Sequence, residues 1–149
     1  MTTVSLRPAQ ATDADVIKAM VRGARLNPFR LDWERFWVAV DEAGRIVGCV
    51  QLKPHEDGVL ELASLVTDAA WRGQGVAHQL VRHLQTEAGP PLWLMCESGL
   101  TPFYRRFGFV EVHQLREMPG HFRMIRRLSR FFMPPWRRHY LAIMRWEGE

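Results

Sequence analysis

Residues 61–81 read ELASLVTDAAWRGQGVAHQLV, and this stretch decides the fold prediction for the whole chain. Its first part is β-compatible and mostly apolar, whereas Val76, Leu80 and Val81 recur at the spacing of a helix. A strand, a glycine-rich turn and a helix therefore follow one another. Gly73 and Gly75 tolerate positive φ angles and let a bulky group approach the backbone. Because free amides and the positive end of the helix dipole meet there, the turn predicts a phosphate site.

Two commoner phosphate-binding motifs do not fit this turn. A Walker A loop needs a lysine after its last glycine, and no lysine follows Gly75. A dinucleotide fingerprint that starts at Gly73 needs Gly or Ala where His78 stands, and it needs the strand to end directly before it. Here residues 68–71 intervene, so both motifs are excluded.

A third motif does match. The hexapeptide Arg72-Gly73-Gln74-Gly75-Val76-Ala77 resembles the Arg/Gln-x-x-Gly-x-Gly/Ala signature of the GNAT superfamily of acyl-CoA-dependent N-acyltransferases. Residues 103–109, FYRRFGF, resemble the family's second hallmark, an aromatic-Tyr…Gly-Phe run. The resemblance covers most of residues 4–112 and the last strand. It implies an α/β (α+β) fold in which a mixed, mostly antiparallel central sheet carries a βαβ acyl-CoA-binding core and flanking helices.

Local patterns predict the order of elements along the chain. Predicted strands cover residues 4–7, 36–40, 45–52, 59–67, 92–96, 109–112 and 140–146. A first helix is capped by Thr12 or Asp13, a second covers residues 75–87, and a short third helix is capped by Thr101 and ends at Gly108. Residues 59–96 then form one right-handed βαβ unit with parallel strands. The aromatic residues within 27–34 are either walls of an acceptor pocket or satellite core.

Composition narrows the class of protein. At 149 residues the chain is most simply one domain, residues 1–149. Its hydrophobic fraction of 47% and charged fraction of 24% exclude disordered and fibrous classes. No apolar run approaches the roughly 20 residues of a membrane span, and the N-terminal residues lack a signal-peptide layout. We therefore expect a cytoplasmic protein.

The cysteines and histidines carry little functional signal. Cys49 and Cys96 lie in apolar, strand-like segments and are expected to be buried free thiols, although an acyl-Cys96 intermediate stays open as an alternative. The six histidines show no metal-ligand spacing, so no metal is expected.

The resemblance implies acetyl-CoA as co-substrate and assigns the residues that bind it. The turn would hold the pyrophosphate, and the main chain at the end of the preceding strand would bond the pantetheine arm. Ser98 stands where many relatives carry an Asn that helps to hold the same arm. The implied cofactor-binding residues are Leu65, Val66, Thr67, Arg72, Gly73, Gln74, Gly75, Val76, Ala77 and Ser98.

Transfer to an amine needs a base and an acid as well. A lysine-type amine has a pKa near 10.4 and must lose a proton before it attacks. Glu61 matches the position where several relatives carry their general base. Its alternative role is an exposed strand carboxylate or a partner for an arginine, and Glu97 is the competing base. Tyr104 matches the residue that protonates the coenzyme A thiolate, with core packing as the alternative.

Residues 113–139 are longer than a hairpin connection needs, and they predict an Arg-rich helical insertion. Phe122, Ile125, Leu128 and Phe132 share one predicted face, and Pro134-Pro135 would end the helix. Its arginines, at positions 123, 126, 127 and 130, have three readings. They form a solvated face, select an acidic acceptor, or contact nucleic acid or an anionic membrane surface.

These observations predict an N-acetyltransferase that acetylates a primary amine by direct attack in a ternary complex. The acceptor is a small molecule or a peptide, with its acidity and a homodimeric state left open. The net charge of +4 permits contact with a polyanion without demanding it, and nucleic acid is not the expected partner. The alternative is a binding module: a non-catalytic acyl-CoA sensor, or an anion- or nucleic-acid-binding protein that uses the Arg-rich helix.

Overall fold

The structure is a computed structural model that describes the backbone of residues 3–132 and 138–149 and the side chains of residues 3–129 and 138–149. The fold is a mixed α/β fold with a mostly antiparallel sheet. Across the described residues, the strands have the order β1-β2-β3-β4-β5-β7-β6. They are β1 (Ser5–Pro8), β2 (Phe36–Val40), β3 (Ile46–Pro54), β4 (Leu60–Thr67), β5 (Leu92–Glu97), β6 (Val110–Val112) and β7 (Leu141–Trp146). The α-helices in the same residues are α1 (Ala14–Gly23), α2 (Val76–Ala88), α3 (Thr101–Arg105) and α4 (Gly120–Phe132).

The chain divides into two compact units. The first unit comprises Met1–Lys53 and Leu62–Glu87, and the second comprises Pro54–Glu61 and Ala88–Glu149. The predicted strands and helices are all present, with boundaries that coincide or differ by at most three residues. That residues 1–149 form a single domain stays a prediction.

The first unit has its core between α1 and the strands β1 to β3. Both β1–β2 and β2–β3 pair antiparallel. Ile17 and Val21 of α1 are 1% and 0% exposed and pack with Phe36, Val38 and Cys49. Leu31 and Trp33 pack partly against this cluster, which supports the satellite-core reading for them, whereas Phe29 is 73% exposed.

Gly48 of β3 lies where strand and helix pack most closely in the first unit. A Cβ at this position would lie 2.8 Å from Val76 Cγ1, 3.2 Å from Leu80 Cδ1 and 3.2 Å from the Val66 carbonyl oxygen. We expect Gly48→Ala to lower the free energy of unfolding by about 1–3 kcal/mol, the usual effect of overpacking. Urea unfolding measures it.

The matched control is Gly23→Ala at the end of α1. No atom lies within 4 Å of a Cβ placed there. This substitution is expected to leave stability unchanged or to raise it by up to about 1 kcal/mol, since alanine restricts the unfolded chain. Equal stabilities for the two variants would contradict the close approach at Gly48.

Asp13 stands at the N-terminal end of α1, as predicted, but it does not cap that helix through its side chain. Its carboxylate instead accepts two hydrogen bonds from the Arg7 guanidinium, at 2.7 and 3.2 Å, and one from the Gln10 amide at 2.7 Å. The charged partner in β1 outcompetes the helix amides. These hydrogen bonds, that of Arg7 first, hold the pKa of Asp13 below its ordinary 3.8 despite burial.

The lowered pKa makes part of the stability depend on pH. The unfolded chain takes up the proton first as pH falls, so the Asp13 contribution is complete above about pH 4. It is lost as pH falls through the lower folded-state pKa. We expect Asp13→Asn to be less stable than wild type at pH 7 and to show a flatter decline of unfolding free energy below pH 4. Parallel pH profiles would exclude this contribution.

The second unit has its core between β5, β7 and α4. Strand β7 pairs antiparallel with both β5 and β6. Trp93, Phe122 and Ile143 form the centre of the cluster, and Phe122 is fully buried. Helix α3 begins at Thr101, so Thr101 is not its cap. The Thr101 hydroxyl instead donates to the Ser98 carbonyl at 3.0 Å.

A helix is present in the predicted insertion, but its side chains differ from the expectation. Leu128 is 48% exposed although it was placed on the same apolar face as the buried Phe122. Arg123 donates to the carbonyls of Leu115 and Met118 at 3.0 Å each, and Arg126 donates to the Leu141 carbonyl. A freely solvated face is therefore wrong for these two arginines, because main-chain oxygens compete successfully for them. The predicted end at Pro134-Pro135 and the packing of Phe132 lie outside the described residues.

Candidate functional site

The turn between β4 and α2 is held by its own hydrogen bonds. The Asp68 amide donates to the Val47 carbonyl at 2.8 Å, and the Asp68 carboxylate accepts from the Ala70 amide at 2.9 Å. The Gln74 side-chain amide donates to the Ala70 carbonyl at 3.3 Å. Together these bonds fix a 3-10 turn, Ala69–Trp71, directly before the two glycines. This turn separates the end of β4 from the glycines, whereas in a dinucleotide-binding fingerprint the glycines follow the strand directly.

Gly73 and Gly75 both adopt the left-handed conformation, with φ of 79° and 82°. A Cβ at either position would meet no atom within 4 Å, so it is the backbone angle that requires glycine, and the space in front of it is open. The Gln79 amide donates to the Gly75 carbonyl at 3.1 Å. Gly73 and Gly75 stand directly before the N-terminal end of α2. The first backbone amides of a helix have no acceptor inside that helix.

These features fit a diphosphate ester. Arg72, Gly73, Gln74 and Gly75 are exposed, Ala77 is half-buried, and Val76 is buried as an anchor. Backbone amides and the positive helix end attract an anion, and exposed Arg72 adds a cation. Of the six predicted pyrophosphate residues, residues 72–75 lie in the loop, and Val76 and Ala77 are the first two residues of α2.

The strand that leads to this loop is irregular at Ser64. Leu65, Val66 and Thr67 are half-buried, and Ser64 before them has a φ of 56°, which few non-glycine residues adopt. Two contacts hold it: the Ser64 hydroxyl donates to Gln51 Oε1 at 3.2 Å, and the Cys49 thiol lies 3.6 Å from the Ser64 carbonyl oxygen. The sequence shows no signal for this angle, because serine is ordinary in a strand.

Glu61 lies in the second unit with two histidines around it. Its carboxylate is 5% exposed, and Oε1 lies 2.8 Å from His55 Nε2 and 4.0 Å from His121 Nε2. The His55 and His121 rings stack with centroids 4.0 Å apart. The alternative of an exposed strand carboxylate is therefore wrong for Glu61.

The fold brings together two histidines whose sequence spacing is not that of metal ligands. The ligand atoms of His55, Glu61 and His121 all lie within 4.8 Å of one another. The hairpin turn at residues 54–58 could have indicated His55 and Glu61, because His55 lies in the turn and Glu61 follows it. Nothing in the sequence relates His121 to them, since it belongs to α4.

Tyr104 of α3 is 7% exposed and lies among aromatic rings of the second unit. Its ring centroid is 5.0 Å from that of Phe103 and 6.0 Å from that of Phe109. Burial, and then the neighbouring Cys96, raise the pKa of Tyr104 well above its ordinary 10. The hydroxyl therefore keeps its proton at neutral pH, as an acid must before it donates.

Ser98 and Glu97 follow β5. The Ser98 amide donates to the Tyr140 carbonyl at 2.8 Å, and the Ser98 hydroxyl accepts from the Tyr140 amide at 3.1 Å. This pairing extends the β5–β7 ladder, so Ser98 already has a structural role. The Glu97 carboxylate is 59% exposed and lies 3.9 Å from His139.

The two cysteines are buried free thiols, as predicted. Burial raises the pKa of each to about 12. Cys96 has Met144 Sδ at 4.0 Å from its sulfur. A thiol of this kind is a poor nucleophile at neutral pH, so the geometry disfavours an acyl-Cys96 intermediate.

Comparison with known proteins places this geometry in a family. Residues 32–111 match the acetyltransferase (GNAT) domain. Rv2747 from Mycobacterium tuberculosis, solved in complex with CoA, has 20% identity and a TM-score of 0.76 over 97% of this chain and 99% of its own. N-acetylglutamate synthase from Neisseria gonorrhoeae, solved with coenzyme A and N-acetyl-glutamate, has 20% identity and a TM-score of 0.75 over 99% of this chain. This chain spans only 36% of that synthase.

A GNAT-family acetyltransferase from Staphylococcus aureus has 13% identity and a TM-score of 0.72, with 99% of this chain and 100% of that chain covered. These structures share the fold, and the domain match covers more than half of the sequence. Among the residues described, no helix combines the length and apolarity that crossing a membrane requires. The chain therefore belongs to the GNAT family of acetyltransferases.

Proposed function

We propose that this protein transfers the acetyl group of acetyl-CoA to a primary amine by direct attack in a ternary complex. The observation that carries the proposal is the pair of left-handed glycines, Gly73 and Gly75, before a 13-residue helix in a GNAT-family chain. In this proposal the amides of residues 72–77 hold the pyrophosphate. The main chain of Leu65, Val66 and Thr67 bonds the pantetheine arm, and Ser98 contributes a further contact to that arm.

The chemistry removes two protons from the acceptor ammonium, one before attack and one as the amide forms, and it delivers one proton to the departing thiolate. We assign Glu61 as the base that takes the proton from the acceptor ammonium, because its carboxylate is buried and already accompanied by His55 at 2.8 Å. We assign Tyr104 as the acid that protonates the departing thiolate, because burial keeps its hydroxyl protonated. The amine then attacks the thioester carbon, the C–S bond breaks as Tyr104 protonates the sulfur, and coenzyme A leaves as the free thiol. The second proton lost by the nitrogen returns to the tyrosinate, which leaves the neutral amide.

The acceptor panel follows from the relatives. The Neisseria synthase has been solved with N-acetyl-glutamate and also with L-arginine, so α-amino acids come first. Polyamines and peptide amines follow, with the release of free thiol from acetyl-CoA as the readout. Thiol release with one class of amine supports the proposal. Stabilisation of the protein by coenzyme A without turnover on any amine would favour the non-catalytic sensor instead.

The pyrophosphate loop makes a prediction of its own. Gly75→Glu adds a side chain that is strained at a φ of 82°, and it places a negative charge where the diphosphate is proposed to lie. We expect coenzyme A affinity, measured by isothermal titration calorimetry, to fall roughly 10- to 100-fold.

The matched control is Gly44→Glu, in the turn between β2 and β3. Gly44 has a φ of 81° and no atom within 4 Å of a Cβ, so the backbone penalty is equivalent. Its coenzyme A affinity is expected to stay that of the wild type. The same affinity in the Gly75 variant would remove the loop from the proposed site.

A further inference from the structure

The histidine pair beside Glu61 has the composition of a metal site. One carboxylate oxygen and two imidazole nitrogens converge from the hairpin at residues 54–61 and from the first turn of α4. Zinc takes such ligands at about 2.0–2.2 Å, so ligand atoms around a tetrahedral ion lie roughly 3.3 Å apart. The separations here range from 2.8 Å to within 4.8 Å. A small rotation of the His121 side chain, the most exposed of the three, would bring its ring nitrogen to the ligand separation that zinc requires.

The two histidine rings lie together beside the carboxylate. They stack with centroids 4.0 Å apart and an interplanar angle of 25°, and His121 is the second residue of α4. An imidazole binds a metal ion in its neutral form through one ring nitrogen.

Burial gives the cluster one open side. The side chains of His55 and Glu61 are 6% and 5% exposed, whereas that of His121 is 28% exposed. An ion would enter from the side of His121 and keep a position for water after three protein ligands. This is the coordination of an accessible zinc site, not of a closed structural one.

We propose that His55, Glu61 and His121 bind a zinc ion, and that the bound ion inhibits acetyl transfer. The ion is an inhibitor and not a cofactor, because direct attack of an amine on a thioester requires no metal. It would coordinate the Glu61 carboxylate, the group proposed to take the proton from the acceptor. The inhibition, although not the binding, rests on the function proposed for Glu61.

The binding test uses the full chain after dialysis against a chelator, with CoCl₂ and ZnCl₂ as probes. We expect one Co²⁺ per chain, with the visible absorption of a four-coordinate site, and displacement of Co²⁺ by Zn²⁺. His121→Gln and His55→Gln are each expected to weaken binding at least 10-fold. His113→Gln is the control, since His113 is 68% exposed and lies beside Glu111 at 3.4 Å. No stoichiometric ion, or equal affinity in all three variants, would overturn the site.

Activity separates this proposal from the proposed function. Zinc is expected to lower the turnover of the wild type and of His113→Gln at concentrations that leave His121→Gln at its own uninhibited rate. If zinc binds but does not lower turnover, the proposed inhibition is wrong, whereas the proposed binding site stands. An ion that binds as expected to a protein with no turnover on any amine would instead contradict the transferase function.

Discussion

The Tyr104→Phe protein is expected to turn over acetyl-CoA about 100- to 10,000-fold more slowly than the wild type, the range that general acid catalysis contributes. Phenylalanine keeps the ring contacts with Phe103 and Phe109, so the fold should survive the change. Coenzyme A affinity should stay the same, because only the hydroxyl is lost. Steady-state kcat and calorimetric affinity for coenzyme A together test the role.

Tyr140→Phe is the matched control, because the chain has two tyrosines. Tyr140 is 41% exposed and its hydroxyl donates to Glu111 at 2.7 Å. Its replacement should leave kcat unchanged. Since the pKa of Tyr104 is raised, its ionisation should cause no fall of wild-type kcat below about pH 10. Normal turnover of the Tyr104→Phe protein would contradict the acid role and leave core packing as the role of Tyr104.

Glu61→Gln is the second change for which we expect a large effect, again about 100- to 10,000-fold in kcat at pH 7. Glutamine matches the size of glutamate and still hydrogen-bonds to His55, so the loss would come from basicity. The deficit should shrink as pH rises toward the acceptor's own pKa, near 10.4 for a lysine-type amine, because more free amine is then present. A pH profile of kcat for both proteins measures this.

Glu97→Gln decides between the two candidate carboxylates. Glu97 is 59% exposed, and we expect its replacement to leave turnover near that of the wild type. A large loss in Glu97→Gln together with normal turnover in Glu61→Gln would transfer the role of base to Glu97. The proposed function would survive that exchange, but the assignment of Glu61 would not.

Sequence reasoning succeeded where local chemistry dictates local structure. Glycines at 73 and 75 require a turn, and the spacing of Val76, Leu80 and Val81 requires a helix whatever else surrounds it. The strand–turn–helix at the centre of the prediction was therefore recoverable from a short window. The apolar run that became β5 was equally clear, because it is buried along most of its length.

The errors arose where residues distant in sequence decide the outcome. The sequence allows Arg123 and Arg126 to be part of a solvated helix face, whereas in the structure they donate to the carbonyls of Leu115 and Leu141. Asp13 has the composition of a helix cap but finds Arg7 on a neighbouring strand. His121 meets Glu61 only through tertiary structure. The hydrogen-bond partners of polar side chains depend on the tertiary structure, and the periodicity of the sequence does not predict them.

Gly48 links folding to ligand affinity in this chain. The missing side chain of a residue in β3 lets Val76, at the base of the glycine loop, approach the strand closely. The position of the first residue of α2 thus depends on a glycine in β3. In the proposed site, both the packing of β3 against α2 and the affinity for coenzyme A would therefore depend on the absence of a side chain at residue 48.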